Sequence, residues 1–194
     1  PAGFYYKTFM WPRSFWYKIY EPFIRKAAGF GVASIKHDKD RYEHKYEYCD
    51  LLVTGSGPAG LASAYAAAKN GAKVILAEDK SRFGGSLLTS EVSIGNQTGK
   101  EWAENILAEL QEMPNVKVKN RSQVFGYYDH NMLVMSERIS DHLSKSNKYM
   151  PRQRLWYIRA KEVVISSGSI ERPLVFGNND TPGVMLSSAA KEYL

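Results

Sequence analysis

A chain of 194 residues is long enough for one well-buried domain, or one domain with an appendage, and too short for two full domains. Its 44% hydrophobic and 24% charged residues are those of an ordinary globular protein, and no apolar run approaches the roughly 18–20 residues of a membrane span, which excludes a membrane protein. The net charge of +6 is spread through the N-terminal stretch and the region from Lys145 to Lys161 rather than gathered in one block, so it reads as modest steering or interface charge, with neither nucleic acid nor a membrane as partner.

In chain order, the first segment is aromatic. "FYYKTFMWPRSFWYKIYEPF", from Phe4 to Phe23, carries ten aromatics in twenty positions, with Pro12 and Pro22 breaking any long helix. Such a density predicts an arm that packs across another domain or subunit. "DKDRYEHKYEYCD" follows as a charged linker, so residues 1–48 are expected to form an arm and linker, and 49–194 a dinucleotide-binding domain incomplete at its C-terminal end. The lack of an initiator Met and of a signal-peptide layout, with a final helix that stops without a cap, predicts a piece of a longer chain.

From Cys49 the pattern becomes that of an α/β unit. "CDLLVTG" is a short apolar strand, "PAGLASAYAAAKNG" an Ala-rich helix with Pro58 in its first turn and Gly71 past its end, and "AKVILAE" a second apolar strand. Apolar residues in succession suit strands buried on both faces of a parallel sheet. Cys49 is the only cysteine, so no internal disulfide can form; it reads as a small buried hydrophobe in a reducing, cytoplasmic setting. "GKEWAENILAELQEM" places Trp102, Ile106 and Leu110 on one stripe, flanked by Leu107 and Met113, and predicts a second helix on the sheet. "VKVK" is a third parallel strand. "SQVFGYYDH", "NMLVMSERI" and "RLWYIRA" predict an antiparallel meander, "KEVVISSG" a returning buried strand that ends at Gly168, and the rest is loop with a helix over 187–194. His37, His44, His130 and His142 lie at no metal-ligand spacing, and Ser166, Ser167 and Ser169 lack the elbow of a hydrolase nucleophile.

The chemistry concentrates in "GSGPAG". A dinucleotide brings a doubly charged pyrophosphate that needs closely approachable backbone N–H groups. Gly55 supplies the tight turn after the strand, Gly57 lets the backbone reach the pyrophosphate, and Gly60 lets helix and strand pack without a Cβ between them. The phosphates then sit at a helix N-terminus. Three glycines are weak evidence alone; the strand before, the helix after, and Glu78 at the end of the next strand, eighteen residues beyond Gly60, give them weight. A carboxylate at Glu78 accepts ribose hydroxyls and repels a 2′-phosphate, which favours NAD or FAD over NADP, although Lys80 and Arg82 stand nearby. Gly84 and Gly85 in "FGGSLLTSE" allow a second close backbone passage, and Gly168 a third at the carboxyl edge of the sheet. The candidate cofactor-binding set is Gly55, Ser56, Gly57, Pro58, Ala59, Gly60, Glu78, Asp79, Gly84, Gly85, Ser86 and Gly168, with no catalytic acid, base or metal ligand.

These residues fall where the first fingerprint of the two-dinucleotide-binding-domain flavoproteins falls. More narrowly, "AGFYYKTFMWP", the aromatic arm and "DHLSKSNKYMPRQRLWYIRAKEVVISSGSIERPLVFGNNDTPGVMLSSAAKEYL" resemble the α subunit of heterotetrameric sarcosine oxidase. The resemblance implies a Rossmann-like parallel sheet with a β-meander crossover, in a longer chain that also carries a ferredoxin-like module and a folate-binding domain. It implies NAD in this domain, FAD being the alternative seen in related proline, octopine or cyanide-forming dehydrogenases. It further implies a partner β subunit whose flavins oxidise sarcosine to glycine, releasing formaldehyde or methylenetetrahydrofolate. Ser166-Ser167-Gly168 departs from the family's usual Ala-Thr-Gly. A different class of role, a scaffold with a structural nucleotide and an arm that docks a partner, is also open at this point.

Overall fold

The computed structural model describes residues 11–31, 33–144 and 149–193. The chain clusters into two units, Pro1–Lys39 and Asp40–Leu194. In the first, a π-helical turn at Trp16–Tyr20 runs into helix α1 (Glu21–Ala27). Pro22 sits in the first turn of α1, where its missing N–H costs nothing, and the wider turn before it closes through Glu21 N–H to Trp16 O. Trp11, Tyr17 and Phe23 are exposed; the aromatics of residues 1–10 lie outside the described residues.

The second unit is built on a six-stranded sheet. Strand β1 (Tyr42–Thr54) leads through the glycine turn into α2 (Pro58–Lys69), then β2 (Val74–Ala77). A 3₁₀ turn at Gly85–Leu88, a two-residue-a-side hairpin of β3 (Ser93–Ile94) and β4 (Gln97–Thr98), and α3 (Gly99–Glu112) follow. Next come β5 (Val116–Lys119), β6 (Ser122–Tyr128), β7 (Met132–Arg138), the long β8 (Gln153–Ile165) and, after an irregular stretch, α4 (Ser187–Tyr193). The strand order is β5-β2-β1-β8-β7-β6. The first three pairings are parallel, and β8–β7 and β7–β6 antiparallel. Parallel core and antiparallel meander therefore share one sheet, as the sequence predicts.

Two differences from expectation concern strand ends. The stretch expected as linker is strand from Tyr42 onward, and "RLWYIRA" and "KEVVISSG" are one strand rather than two. Both follow from the pairing of β1 with β8 over twelve positions. Glu43 and Arg154 form an ion pair across it at 2.9 Å, and Tyr46 stacks on Tyr157 at 5.1 Å between centroids. Where the register skips at Asp50 and Lys161, the two side chains pair at 2.8 Å, so the polar "KE" inside β8 does not break it.

On one face of the sheet, Val53, Val74 and Leu76 pack against Leu61, Ala64 and Ala68 of α2 and Ala103 and Leu110 of α3. The run of alanines in α2 keeps that helix close to the strands, and α3 starts at a capping box in which Thr98 and Glu101 satisfy each other's backbone N–H. On the other face Cys49, Leu52, Ile75 and Ala77 pack with Leu133, Met135, Trp156 and Ile158. Burial pushes the Cys49 thiol up to about 12, so it behaves as the inert hydrophobe expected. Among the described residues no helix is long and apolar enough to cross a membrane.

An acid-sensitive anchor sits where Glu47, in the middle of β1, meets the starts of β2 and β5. Glu47 bonds to Lys73 at 2.8 Å and to Lys117, and although burial opposes its ionisation, the two lysines hold its carboxyl at about 2 against an ordinary 4.5. A carboxyl whose value is lower in the folded state stabilises the fold above its unfolded value, and that contribution disappears as pH falls. Stability is therefore expected to drop between about pH 4.5 and 2, and Glu47→Gln to flatten that part of a plot of urea midpoint against pH. Identical slopes in the two proteins would mean the pair contributes nothing.

Candidate functional site

The carboxyl ends of β1 and β2 carry the site. Gly55 leaves β1 with φ +97°, a conformation side chains avoid, and a Cβ there would lie 2.4 Å from Ser166 O. Gly60, in the first turns of α2, comes closer still: a Cβ would lie 1.9 Å from Gly55 O. Both glycines thus serve the chain's own packing. Gly57 differs. It caps α2 with φ −66° and ψ −176°, allowed for any residue, and a Cβ would meet nothing within 4 Å. Pro58 follows at the first helical position, and Pro58 and Ala59 are exposed, so the open rim of the turn is formed by these residues and the helix N-terminus, whose first N–H groups lack intrahelical partners.

Glu78, at the end of β2, is 7% exposed and points at the turn. Its Oε2 accepts from Ser56 N–H at 2.9 Å and Ser56 Oγ–H at 2.6 Å, and its Oε1 from Lys80 N–H at 2.9 Å. Burial works against ionisation, yet these hydrogen bonds outweigh it and hold the carboxyl below its ordinary value. Asp79 is exposed, and its hydrogen bond to Glu78, with some burial, raises its own carboxyl. The second glycine pair packs against the turn: Gly84 N–H donates to Ser56 O at 3.0 Å, and a Cβ on Gly85 would lie 2.8 Å from the Gly57 Cα. Their φ values, +122° and +54°, require glycine-like freedom.

The structure therefore brings Gly55, Ser56, Gly57, Gly60, Glu78, Asp79, Gly84 and Gly85 together. Ser86 is exposed at the start of the 3₁₀ turn, and Gly168, with φ +72°, is exposed where a Cβ would meet nothing within 4 Å; among the described residues no hydrogen bond ties either to the glycine turn. The neighbour that does is Ser166, whose Oγ–H reaches both Thr54 O and Gly55 O at 2.9 Å. The sequence marks Ser166 as lacking a nucleophile's elbow and as a departure from the family's Ala-Thr-Gly, not as a partner of the turn; a small hydroxyl residue at the end of a strand bordering a glycine turn is the available signal. A second missed group anchors the acid. Ser122 N–H donates to Glu78 O, Arg121 N–H to Lys80 O, Asn120 Nδ2 to Ser81 O and Arg138 Nη2 to Asp79 O. The corner between β5 and β6, and the end of β7, thus fix the backbone on which Glu78 is mounted, a tertiary arrangement with no local sequence signature.

Residues 50–149 match the sequence model of the family described as FAD dependent oxidoreductase. The chain belongs to this family. Among curated relatives of this oxidoreductase, the sarcosine oxidase subunit alpha of Rhizobium meliloti (strain 1021) is 48% identical over 193 residues, all of this chain and 20% of the relative. That of Corynebacterium sp. (strain P-1) is 40% identical over 168 residues, 86% of this chain and 17% of the relative. The chain thus spans about a fifth of the length of the curated relatives it matches. Among solved structures, L-proline dehydrogenase from P. horikoshii superposes with a TM-score of 0.58 at 23% identity, over 79% of this chain and 28% of that one, a likeness of fold. The oxidoreductase family and the α/β flavoprotein fold expected from the sequence are both found.

Proposed function

We propose that residues 49–194 are part of the dinucleotide-binding domain in the α subunit of a sarcosine oxidase-like complex, and that the dinucleotide is NAD. The observation that carries the binding site is Gly57. Its backbone conformation and surroundings would accept alanine, so the missing Cβ serves no contact within the chain, while it lies at a helix N-terminus next to a carboxylate. Those features suit a pyrophosphate approached by backbone N–H groups, with Gly57, Ala59 and Gly60 as its contacts and Gly85 behind it.

Of the four acceptor positions of Glu78, three are filled by Ser56 and Lys80, and the Asp79 carboxyl bonds at the remaining one, where a ligand hydroxyl would displace it. A ribose diol is the natural donor for that position, and the two carboxyls disfavour a 2′-phosphate. Bound NAD would supply a hydride acceptor. This chain's own residues bind and orient it and offer no acid or base to the reacting carbon. A partner β subunit, amine oxidation of sarcosine and a cytoplasmic setting belong to the same proposal, supported by the α-subunit relatives and the buried free thiol.

FAD is the second reading, favoured by the description of the matching family. Mass spectrometry of the ligand released from the full-length protein tests both: NAD supports the first, FAD with its visible flavin absorbance replaces it, and protein free of either with no measurable affinity for them overturns the site.

A further inference from the structure

The second residue of the glycine turn is an unspecified position in a dinucleotide fingerprint, since only its backbone N–H is needed. Here it is Ser56, fully buried, and every polar atom it owns is engaged. Its N–H and Oγ–H converge on Glu78 Oε2 at 2.9 and 2.6 Å, while its carbonyl O and Oγ receive Gly84 N–H at 3.0 and 3.3 Å. We propose that Ser56 is a positioning residue for the nucleotide, its hydroxyl fixing the Glu78 carboxylate on one side of the turn and the Gly84–Gly85 loop on the other. This deepens the dinucleotide reading and rests on it.

An alanine at 56 would keep the backbone bonds and lose only the hydroxyl. Glu78 Oε2 would then hold a single donor in a buried position, where desolvation favours the neutral acid. The protonated acid can no longer accept a ribose hydroxyl at every lone pair. The charged and titratable groups that face Glu78 are Asp79, whose carboxyl bonds to it, and Lys80, which reaches it through the backbone; Lys80 and Arg138 act on Asp79. The Lys80 donor sits on Oε1, so it does not replace the one lost at Oε2. Losing that charge-assisted hydrogen bond moves upward the pH at which Glu78 takes up its proton. The hydroxyl therefore sets how far into the acid range the site keeps its grip.

The test is the affinity of the full-length protein for NAD, and separately for FAD, measured by calorimetry across pH. Wild type is expected to hold its affinity until Glu78 protonates. Ser56→Ala is expected to begin losing affinity at a higher pH than wild type, with about tenfold weaker binding in the interval between the two midpoints. In a Glu78→Gln background Ser56→Ala should add no pH shift. Should Ser56→Ala fail to fold, Ser56→Cys, which keeps a weak donor, is read by the same criterion, with an intermediate midpoint expected. If wild type binds and the Ser56 variants give a curve superimposed on it, or one displaced equally at all pH values, the positioning role is wrong while the dinucleotide site stands. If wild type binds neither nucleotide at any pH, the dinucleotide reading has failed and Ser56 has nothing to position.

Discussion

Gly60→Ala is expected to destabilise the Asp40–Leu194 unit by about 3 kcal/mol or more. In an ordinary exposed helix the same change is stabilising by roughly 0.5–1 kcal/mol, because alanine loses less backbone freedom on folding. The reversal of sign comes from one distance: the added Cβ would stand 1.9 Å from Gly55 O and 2.6 Å from Ser166 Oγ. Ser166 can rotate away. Gly55 O cannot, because its peptide is held by Ser56 N–H to Glu78 Oε2 at 2.9 Å at the end of the next strand, and Gly55 itself is fixed at a φ of +97° on the way into α2. Relief requires α2 to lift off the sheet, which opens the packing of Leu61, Ala64 and Ala68 on Val53 and Val74. A urea midpoint measured for Gly60→Ala, alone and combined with Ser166→Ala, checks this. The double variant should recover almost nothing, and a Gly60→Ala midpoint equal to wild type would show that helix and turn do not approach as closely as described.

What was legible in the sequence is what is decided within a few residues. Gly55, Pro58 and Gly71 each mark a local backbone requirement, and the strand, turn, helix and strand they punctuate are found at the expected places. The stripe of Trp102, Ile106 and Leu110 likewise finds the sheet, with Ala103 buried beside Leu110. What was not legible depends on partners far along the chain. "YEHKYEY" looks solvated by itself and becomes strand because Arg154 and Tyr157, over a hundred residues later, pair with Glu43 and Tyr46. Glu78 was legible as an acid at a strand end, yet its engagement by Ser56 arises only where the ends of β1 and β2 lie side by side, and the hold of Ser122, Arg121, Asn120 and Arg138 on its backbone only when the chain returns past the end of β2. Position in the fingerprint told which residues gather; only the fold told which of them hold one another.

Gly57→Ala should behave in the opposite way to Gly60→Ala. Its backbone already lies in a region open to any residue, its Cβ meets nothing within 4 Å, and the roughly 0.5–1 kcal/mol by which alanine is worse than glycine as a helix N-cap is offset by a similar gain from restricting the unfolded chain. Stability is therefore expected to change by less than about 0.5 kcal/mol. Affinity for the dinucleotide, in contrast, should fall by about a hundredfold, or about 2.7 kcal/mol, since the new methyl occupies the space through which pyrophosphate oxygens must pass to reach backbone N–H groups at about 3 Å. Calorimetric titration with NAD and with FAD, and a urea midpoint on the same preparation of the full-length protein, separate the two effects. A variant with unchanged midpoint and unchanged affinity would mean the nucleotide does not cross the chain at Gly57. A variant that loses both together would mean the position is packed after all, and the distinction between glycines that serve the fold and the glycine that serves the ligand would collapse.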